Sequence, residues 1–215
     1  MATKTISLEL DAYEKLKAAK RRERESFSSV VRRASFNAPP HTGAAVLESL
    51  RNLPGDTTGA DGDPMLEVMR DQRLNVTKIL LTHTHGDHIL DLDRLKEKTG
   101  ATAHVCAKEA LAGAESFSPG KTFSMGSLSV ETRLTWGHSV GGITYVIHGL
   151  AVPVAVVGDA IFAGSMGGGA ISSADALKSN RENILTLSDE TVLRPGHGPL
   201  TTLEEQKRVN SFFSE

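Results

Sequence analysis

The chain has 215 residues, with 24 Lys and Arg against 26 Asp and Glu and a formal net charge of -2. That balance excludes a global electrostatic field for nucleic acid or membranes, and a single cysteine, Cys106, excludes an intrachain disulfide framework. The N-terminus has no signal-peptide pattern and no run of about 18 apolar residues occurs. These features predict a cytoplasmic protein without membrane contact, of one large domain or of a small and a medium one.

Residues 1–35 carry nine basic and five acidic side chains, about +4, leaving about −6 for the remainder. Such asymmetry points to a separate partner for the segment. Thr3 to Leu8 alternates with period two, so Ile6 and Leu8 share one face and Thr3, Thr5 and Ser7 the other. Asp11 fits as the cap of a helix with Tyr13, Leu16 and Ala19 on one side; Ser26 fits as the cap of a second, with Phe27, Val30 and Val31 inward. A strand and two helices this short cannot bury a core alone, whereas two copies pairing their strands can. Lys4 to Leu8, Ala12 to Lys17 and Glu25 to Arg33 resemble the ribbon-helix-helix DNA-binding fold that begins VapB-type antitoxins. The resemblance implies a dimer whose two-stranded ribbon enters the major groove, with Thr3, Thr5 and Ser7 facing DNA. An amphipathic helical extension with a solvated basic face is the alternative.

After Pro39-Pro40, His41 to Arg51 reads as a linker and a short amphipathic helix. In an antitoxin the equivalent tail grips a cognate toxin; a plain connecting helix is the other reading. Leu53 to Asp63 is loop-like, Pro64 to Arg70 is a helix with Leu66 and Met69 or Arg70 spaced to pack, and Val76 to Leu81 is a strand. The expected division is 1–36, a linker 37–60, and a domain 61–215.

Thr82-His83-Thr84-His85-Gly86-Asp87-His88 follows directly on the apolar run Ile79-Leu80-Leu81. Four metal-binding side chains fall within six residues, and neutral nitrogen with charged oxygen donors suits zinc and other first-row metals. Three later turns each place one further donor after an apolar stretch: His138 in Trp136-Gly137-His138-Ser139, Asp159 in Val157-Gly158-Asp159-Ala160, and His197 in Pro195-Gly196-His197-Gly198. Singly, His138 and His197 fit turn chemistry and Asp159 fits a cap; their shared order favours one site. His41, His104 and His148 are expected in ordinary surface or core roles. Cys106 sits in a buried strand, Ala103 to Ala107, where packing outweighs reactivity. Gly167-Gly168-Gly169 reads as a flexible substrate-side loop or as ordinary loop flexibility.

The pattern H-x-H-x-D-H, then His, Asp and His in glycine-flanked turns, resembles the metallo-β-lactamase-fold hydrolases from about Asp61 to Phe213. Ile161 to Ser165 and Gly196 to Pro199 resemble the glyoxalase II-like branch. The resemblance implies an α/β (α+β) fold, an αββα sandwich. It implies two divalent metals, zinc by donor type with iron and manganese as alternatives. His83, His85 and His138 would hold the first; Asp87, His88 and His197 the second; Asp159 would bridge them. It further implies a metal-bridging hydroxide that attacks an acyl carbon, with Asp87 orienting it. The substrate class is a small acyl compound, a thioester of the hydroxyacylglutathione kind or a related ester or lactone. Full glyoxalase II enzymes bind glutathione through a basic C-terminal helical region, and this sequence continues after His197 only with a short helix, Leu203 to Asn210.

Such domains usually begin with several strands ahead of the H-x-H-x-D-H motif, and here those first strands are missing from the pattern. Three consequences are open: the N-terminal segment covers the gap, a dimer does, or the hydrolase half is vestigial. The rival function is therefore a DNA-binding, antitoxin-like regulator carrying a truncated hydrolase domain.

Overall fold

Two β-sheets lie face to face, and the alternation of side chains along their strands decides which layer each residue joins. The computed structural model describes residues 74–214, together with Tyr13, Lys17, Ala18, Lys20 and Met69. The chain divides into two compact units, Met1–Ala38 and Pro39–Glu215. In the first, Tyr13, Lys17 and Ala18 are helical, as expected after Asp11. Tyr13, which periodicity places on the packed side, is 40% exposed, with Lys17 Nζ 6.0 Å from its ring centroid. Thr3, Thr5, Ser7, the helix expected after Ser26, His41 and the linker 37–60 lie outside the described residues. Met69 is helical, in keeping with the helix expected over 64–70.

The first sheet runs β1 (Lys78–Leu80), β2 (Thr102–Cys106) and β3 (Glu115–Phe117), all parallel. Strand β1 is shorter than the expected 76–81, although Leu81 still donates its N–H to the His104 carbonyl. Among the described residues no strand precedes β1. Helix α1 (Gly86–Ile89) and helix α2 (Leu92–Thr99) fill the crossover to β2. Gly100 ends α2 in the left-handed conformation, φ 68°, and its N–H caps the Lys96 carbonyl.

The second sheet contains β4 (Thr122–Met125), β5 (Leu128–Leu134), β6 (Ile143–His148), β7 (Val154–Gly158), β10 (Val192–Pro195) and β11 (Thr201–Thr202), in the order β11-β10-β7-β6-β5-β4. A small hairpin, β8 (Ile161–Phe162) and β9 (Ser165–Met166), follows β7. Helix α3 (Ser173–Asn183) and helix α4 (Leu203–Val209) complete the fold. Each has a hydroxyl cap: Ser172 Oγ accepts from Asp175 N–H, and Thr202 Oγ1 from Glu205 N–H. The short terminal helix expected from Leu203 is thus present.

The layers follow from period two. Cys106 and Phe117 of the first sheet meet Phe123, Val130, Ile143 and Tyr145 of the second in an inter-sheet core. On β2 the alternate residues Ala103 and Val105 turn outward to Leu92 of α2. On the second sheet Val146, Ala155, Val157 and Leu193 turn outward to Ile184, Leu203 and Phe213, with Leu177 of α3 packed against them. Helix, sheet, sheet, helix is the αββα sandwich. Cys106 is fully buried, as expected. His104 is buried, its ring 5.2 Å from that of Phe123, and His148 is exposed beside Glu131 at 3.0 Å; neither joins the donor cluster.

Strand polarity places the site. Strand β5 is antiparallel to β6, β6 to β7, and β7 is parallel to β10, so β5, β7 and β10 end on the same side of the second sheet. Each is followed by one of the single donors. The end of β1 is tied to that side, because the N–H of Ile143 at the start of β6 donates to the Thr82 carbonyl at 2.9 Å. Gly158, at φ 53°, allows the close approach: a Cβ there would stand 2.8 Å from Thr82 Cβ.

Candidate metal centre

All seven donors read from the sequence meet at one place. Three overlapping groups have ligand atoms within 4.8 Å of one another: His83, His85 and His138; His83, His88 and Asp159; Asp87, His88 and His197. Asp159 lies between the two ends of the cluster. Its Oδ2 is 3.4 Å from His138 Nε2 and 3.6 Å from His197 Nε2, and its Oδ1 is 3.2 Å from His88 Nε2. Asp87 Oδ2 stands 3.0 Å from His197 Nε2.

The donors differ in their surroundings. His83 is 2% exposed, His88 is largely covered, and Asp87 and His197 open to solvent. Burial, reinforced by the neighbouring His88, pushes the His83 imidazole down to about 4, so it is neutral near pH 7 and free to donate a lone pair. Burial also opposes charge on His88, but the carboxylates of Asp159 and Asp87 outweigh it and raise that group. Burial alone would raise Asp159; the surrounding histidines, His88 foremost, hold it below the usual carboxylate range.

Whether metal fits can be judged from unmet polar atoms. His83 Nε2, His88 Nε2 and Asp159 Oδ1 are buried and make no aligned hydrogen bond, although the last two stand 3.2 Å apart. A buried polar atom left unpaired costs about 1–3 kcal/mol, so three poorly satisfied atoms aimed into one cluster fit a bound cation better than a packed core. The chemistry of the set, five imidazoles and two carboxylates, fits a borderline divalent metal.

Supporting contacts fix the rings. The Gly168 carbonyl, which can only accept, lies 2.8 Å from His138 Nδ1. His138 therefore carries its proton on Nδ1 and turns Nε2 into the cluster, 3.0 Å from His85 Nδ1. The stretch Gly167-Gly168-Gly169, expected to be loose, is in part tightly packed: a Cβ on Gly167 would stand 1.9 Å from the Asp159 carbonyl oxygen, and one on Gly169 2.3 Å from Ser173 Cα. Gly196 is equally confined, its hypothetical Cβ 2.3 Å from Asp159 Oδ1. The hairpin that follows Asp159 is held by buried amides. Asn180 Nδ2 donates to the Ala160 carbonyl, Gln206 Oε1 accepts from Gly164 N–H, and Asn210 Nδ2 donates to the Ser165 carbonyl.

Sequence reasoning missed these amides and also Glu109, a buried carboxylate that binds Thr84 and Gly141. Burial alone would raise its carboxyl, but the Thr84 and Gly141 donors hold it below the usual range. The available signal was the Gly141-Gly142 pair after His138, where a tight approach requires residues without a side chain.

Residues 54–197 match the family model of the metallo-beta-lactamase superfamily, and residues 2–35 match one described as "Putative antitoxin". A "Probable metallo-hydrolase" of Streptococcus pyogenes serotype M6 is 29% identical over 183 residues, 72% of this chain and 78% of the relative. Hydroxyacylglutathione hydrolase GloC of Haemophilus influenzae is 25% identical over 181 residues, 73% of this chain and 84% of the relative. The crystal structure of BLEG-1 B3 metallo-beta-lactamase superposes with a TM-score of 0.66 at 26% identity, covering 74% of this chain and 87% of that one. With two-thirds of its length matched, a sandwich of the same architecture and the donors gathered where its strands end, the chain belongs to the metallo-beta-lactamase superfamily.

Proposed function

We propose that this chain is a dinuclear metallohydrolase acting on a small acyl compound, a thioester, ester or lactone. The observation that carries it is the convergence of three buried donor atoms that make no aligned hydrogen bond, on His83, His88 and Asp159, within the seven-residue cluster. His83, His85 and His138 would hold one ion and Asp87, His88 and His197 the other, with Asp159 between the two groups. Zinc is the first choice of metal, with iron or manganese next. When bound, such ions lower the pKa of water and draw electron density from an acyl carbonyl. The chain's own residues supply the rest. Asp87, half exposed, accepts a hydrogen bond from the attacking water and sets its direction. The Gly168 carbonyl keeps the His138 proton on Nδ1, and Asn180 holds the turn that presents Asp159.

The choice among acyl compounds is narrowed by what the ligand-bearing loops present. Residues 82–91, 134–143, 158–173 and 195–202 contain no Lys or Arg, so an anionic glutathione or phosphate group meets no countercharge there. The same loops expose Leu90, Val140, Ile171 and Leu200. Neutral acyl esters, thioesters and lactones suit this lining better than a glutathione conjugate.

The match of residues 2–35 supports a second role for the N-terminal unit. We place a dimeric ribbon-helix-helix in residues 1–36, with Thr3, Thr5 and Ser7 as base-reading residues and DNA or a cognate toxin as partner. A linker then covers 37–60 and the hydrolase domain 61–215. No helix among the described residues is long and apolar enough to cross a membrane, and we assign the protein to the cytoplasm.

The test is elemental analysis of protein purified without added metal or chelator, followed by hydrolysis assays. About two equivalents of metal are expected, with turnover of neutral acyl substrates exceeding that of S-lactoylglutathione. Asp159→Asn should lower turnover by ~10^3-fold, the several kcal/mol that such ions contribute. Failure to take up metal even from added zinc would sink the hydrolase reading and leave DNA binding in front.

A further inference from the structure

Glu109 occupies a 3-10 turn, Ala107–Glu109, directly after β2. Because β1 and β2 are parallel, this turn sits at the same sheet end as the loop that carries His83 and His85. The carboxylate is 7% exposed. Its Oε2 accepts from the N–H of Thr84 at 3.2 Å and from the Thr84 hydroxyl at 2.5 Å. Its Oε1 accepts from the N–H of Gly141 at 2.9 Å. Thr84 stands between His83 and His85, and Gly141 stands three residues beyond His138. One buried side chain therefore links the loop after β1, in the first sheet, to the loop after β5, in the second. Glu109 belongs to none of the donor groups that can share an ion.

The Gly141 backbone is shaped to that contact. A Cβ at Gly141 would stand 2.8 Å from Glu109 Cγ and 2.9 Å from Lys108 Cβ, so any side chain would push the turn away. A buried carboxylate costs several kcal/mol to desolvate unless its lone pairs are met. Here three donors meet them, all from the two loops that bear the three-histidine end of the centre.

We propose that Glu109 is a positioning residue: it fixes the spacing of His83 and His85 against His138 and so sets metal affinity at that end. Partners of metal ligands typically change affinity by about 10–100-fold when removed. The role rests on the metal centre proposed above.

The experiment measures metal affinity by competition with a chromophoric chelator on the full chain, for wild type, Glu109→Gln and Glu131→Gln, with zinc as probe. Glu109→Gln keeps the volume but turns an amide N–H against one of the backbone donors. One of the two zinc equivalents should weaken by ~10–100-fold, while the other changes by less than ~3-fold. The absorption spectrum of the cobalt(II)-loaded protein should change with it. Glu131→Gln serves as control, since Glu131 binds Arg133 and His148 instead; its zinc affinities should equal those of wild type. Wild-type affinity at both sites in Glu109→Gln would overturn the inference while leaving the metal centre standing. Should that variant fail to fold, Thr84→Val removes only the hydroxyl donor, and unchanged affinity there overturns the inference equally. No zinc uptake by wild type overturns this role together with the metal centre.

Discussion

The two ends of the donor cluster are built differently. At the three-histidine end, His83 is buried, His138 is oriented by the Gly168 carbonyl, and Glu109 ties their loops together. At the other end His88 is covered, but Asp87 and His197 are half exposed and lean on each other at 3.0 Å. Besides the carboxylates of Asp87 and Asp159, His197 has the His88 ring 5.3 Å and the Phe162 ring 6.1 Å from its own. His85 is exposed, but more protein contacts tie the three-histidine end than the other.

That contrast is most directly broken at its ligands. His83→Ala is expected to cost the ion held with His85 and His138 and to weaken the other, since His83 also lies in a donor group with His88 and Asp159, and to lower turnover by ~10^3-fold. His197→Ala should leave about one equivalent bound, because the three-histidine end keeps its own donors. Metal counting on the two variants decides it, and equal loss in both would erase the difference between the ends. A smaller effect is expected at Gly167. The alanine Cβ would press on the Asp159 carbonyl and stand 3.0 Å from His138 Nδ1. Overpacking of this kind costs about 1–3 kcal/mol, which in a domain of this size lowers Tm by ~2–12 °C. A thermal melt checks it, and an unchanged Tm would mean that the three-histidine end is less rigid than its packing indicates.

The smallest effect lies away from both ends and marks the background against which they are judged. Glu131 is held below its ordinary 4.5 chiefly by Arg133, with His148 adding to it. A depressed carboxylate contributes stability that is present above 4.5 and is lost as pH falls through the folded value. The pair is part exposed, so the contribution is below ~1 kcal/mol. Denaturant unfolding of wild type and Glu131→Gln should differ by that amount near neutral pH and converge in acid; a gap that widens in acid would reverse the assignment.

The sequence made the donors legible because each is a polar residue in a turn that directly follows an apolar strand, a juxtaposition with few structural uses. Their spatial convergence came from strand polarity, which the sequence carries only through the resemblance. Glu109 was illegible: within Ala107-Lys108-Glu109-Ala110 it reads as a solvated charge, and only the parallel pairing of β1 with β2 brings it under Thr84. Asn180, Gln206 and Asn210 likewise read as the polar faces of surface helices, yet all are buried, because the hairpin after Asp159 requires donors and acceptors from α3 and α4. In the sequence Gly167 reads as slack, since a glycine run looks the same whether it serves freedom or close approach. Strand β1 is shorter than its apolar run because its register with β2 begins at Lys78; Thr77 adds only its carbonyl, which accepts from the Thr102 N–H at 3.1 Å.

The donor set of the centre contains nitrogen and oxygen but no sulfur. The one thiol in the chain, Cys106, is fully buried in the inter-sheet core, where burial raises its pKa and keeps it from forming the nucleophilic thiolate. Peroxide and thiol-alkylating reagents therefore find no cysteine to attack in the folded protein. Oxidative damage is directed instead to exposed thioethers such as Met125, 37% open to solvent at the far edge strand of the second sheet. The chemistry of this fold should survive oxidising conditions that disable hydrolases dependent on a cysteine nucleophile.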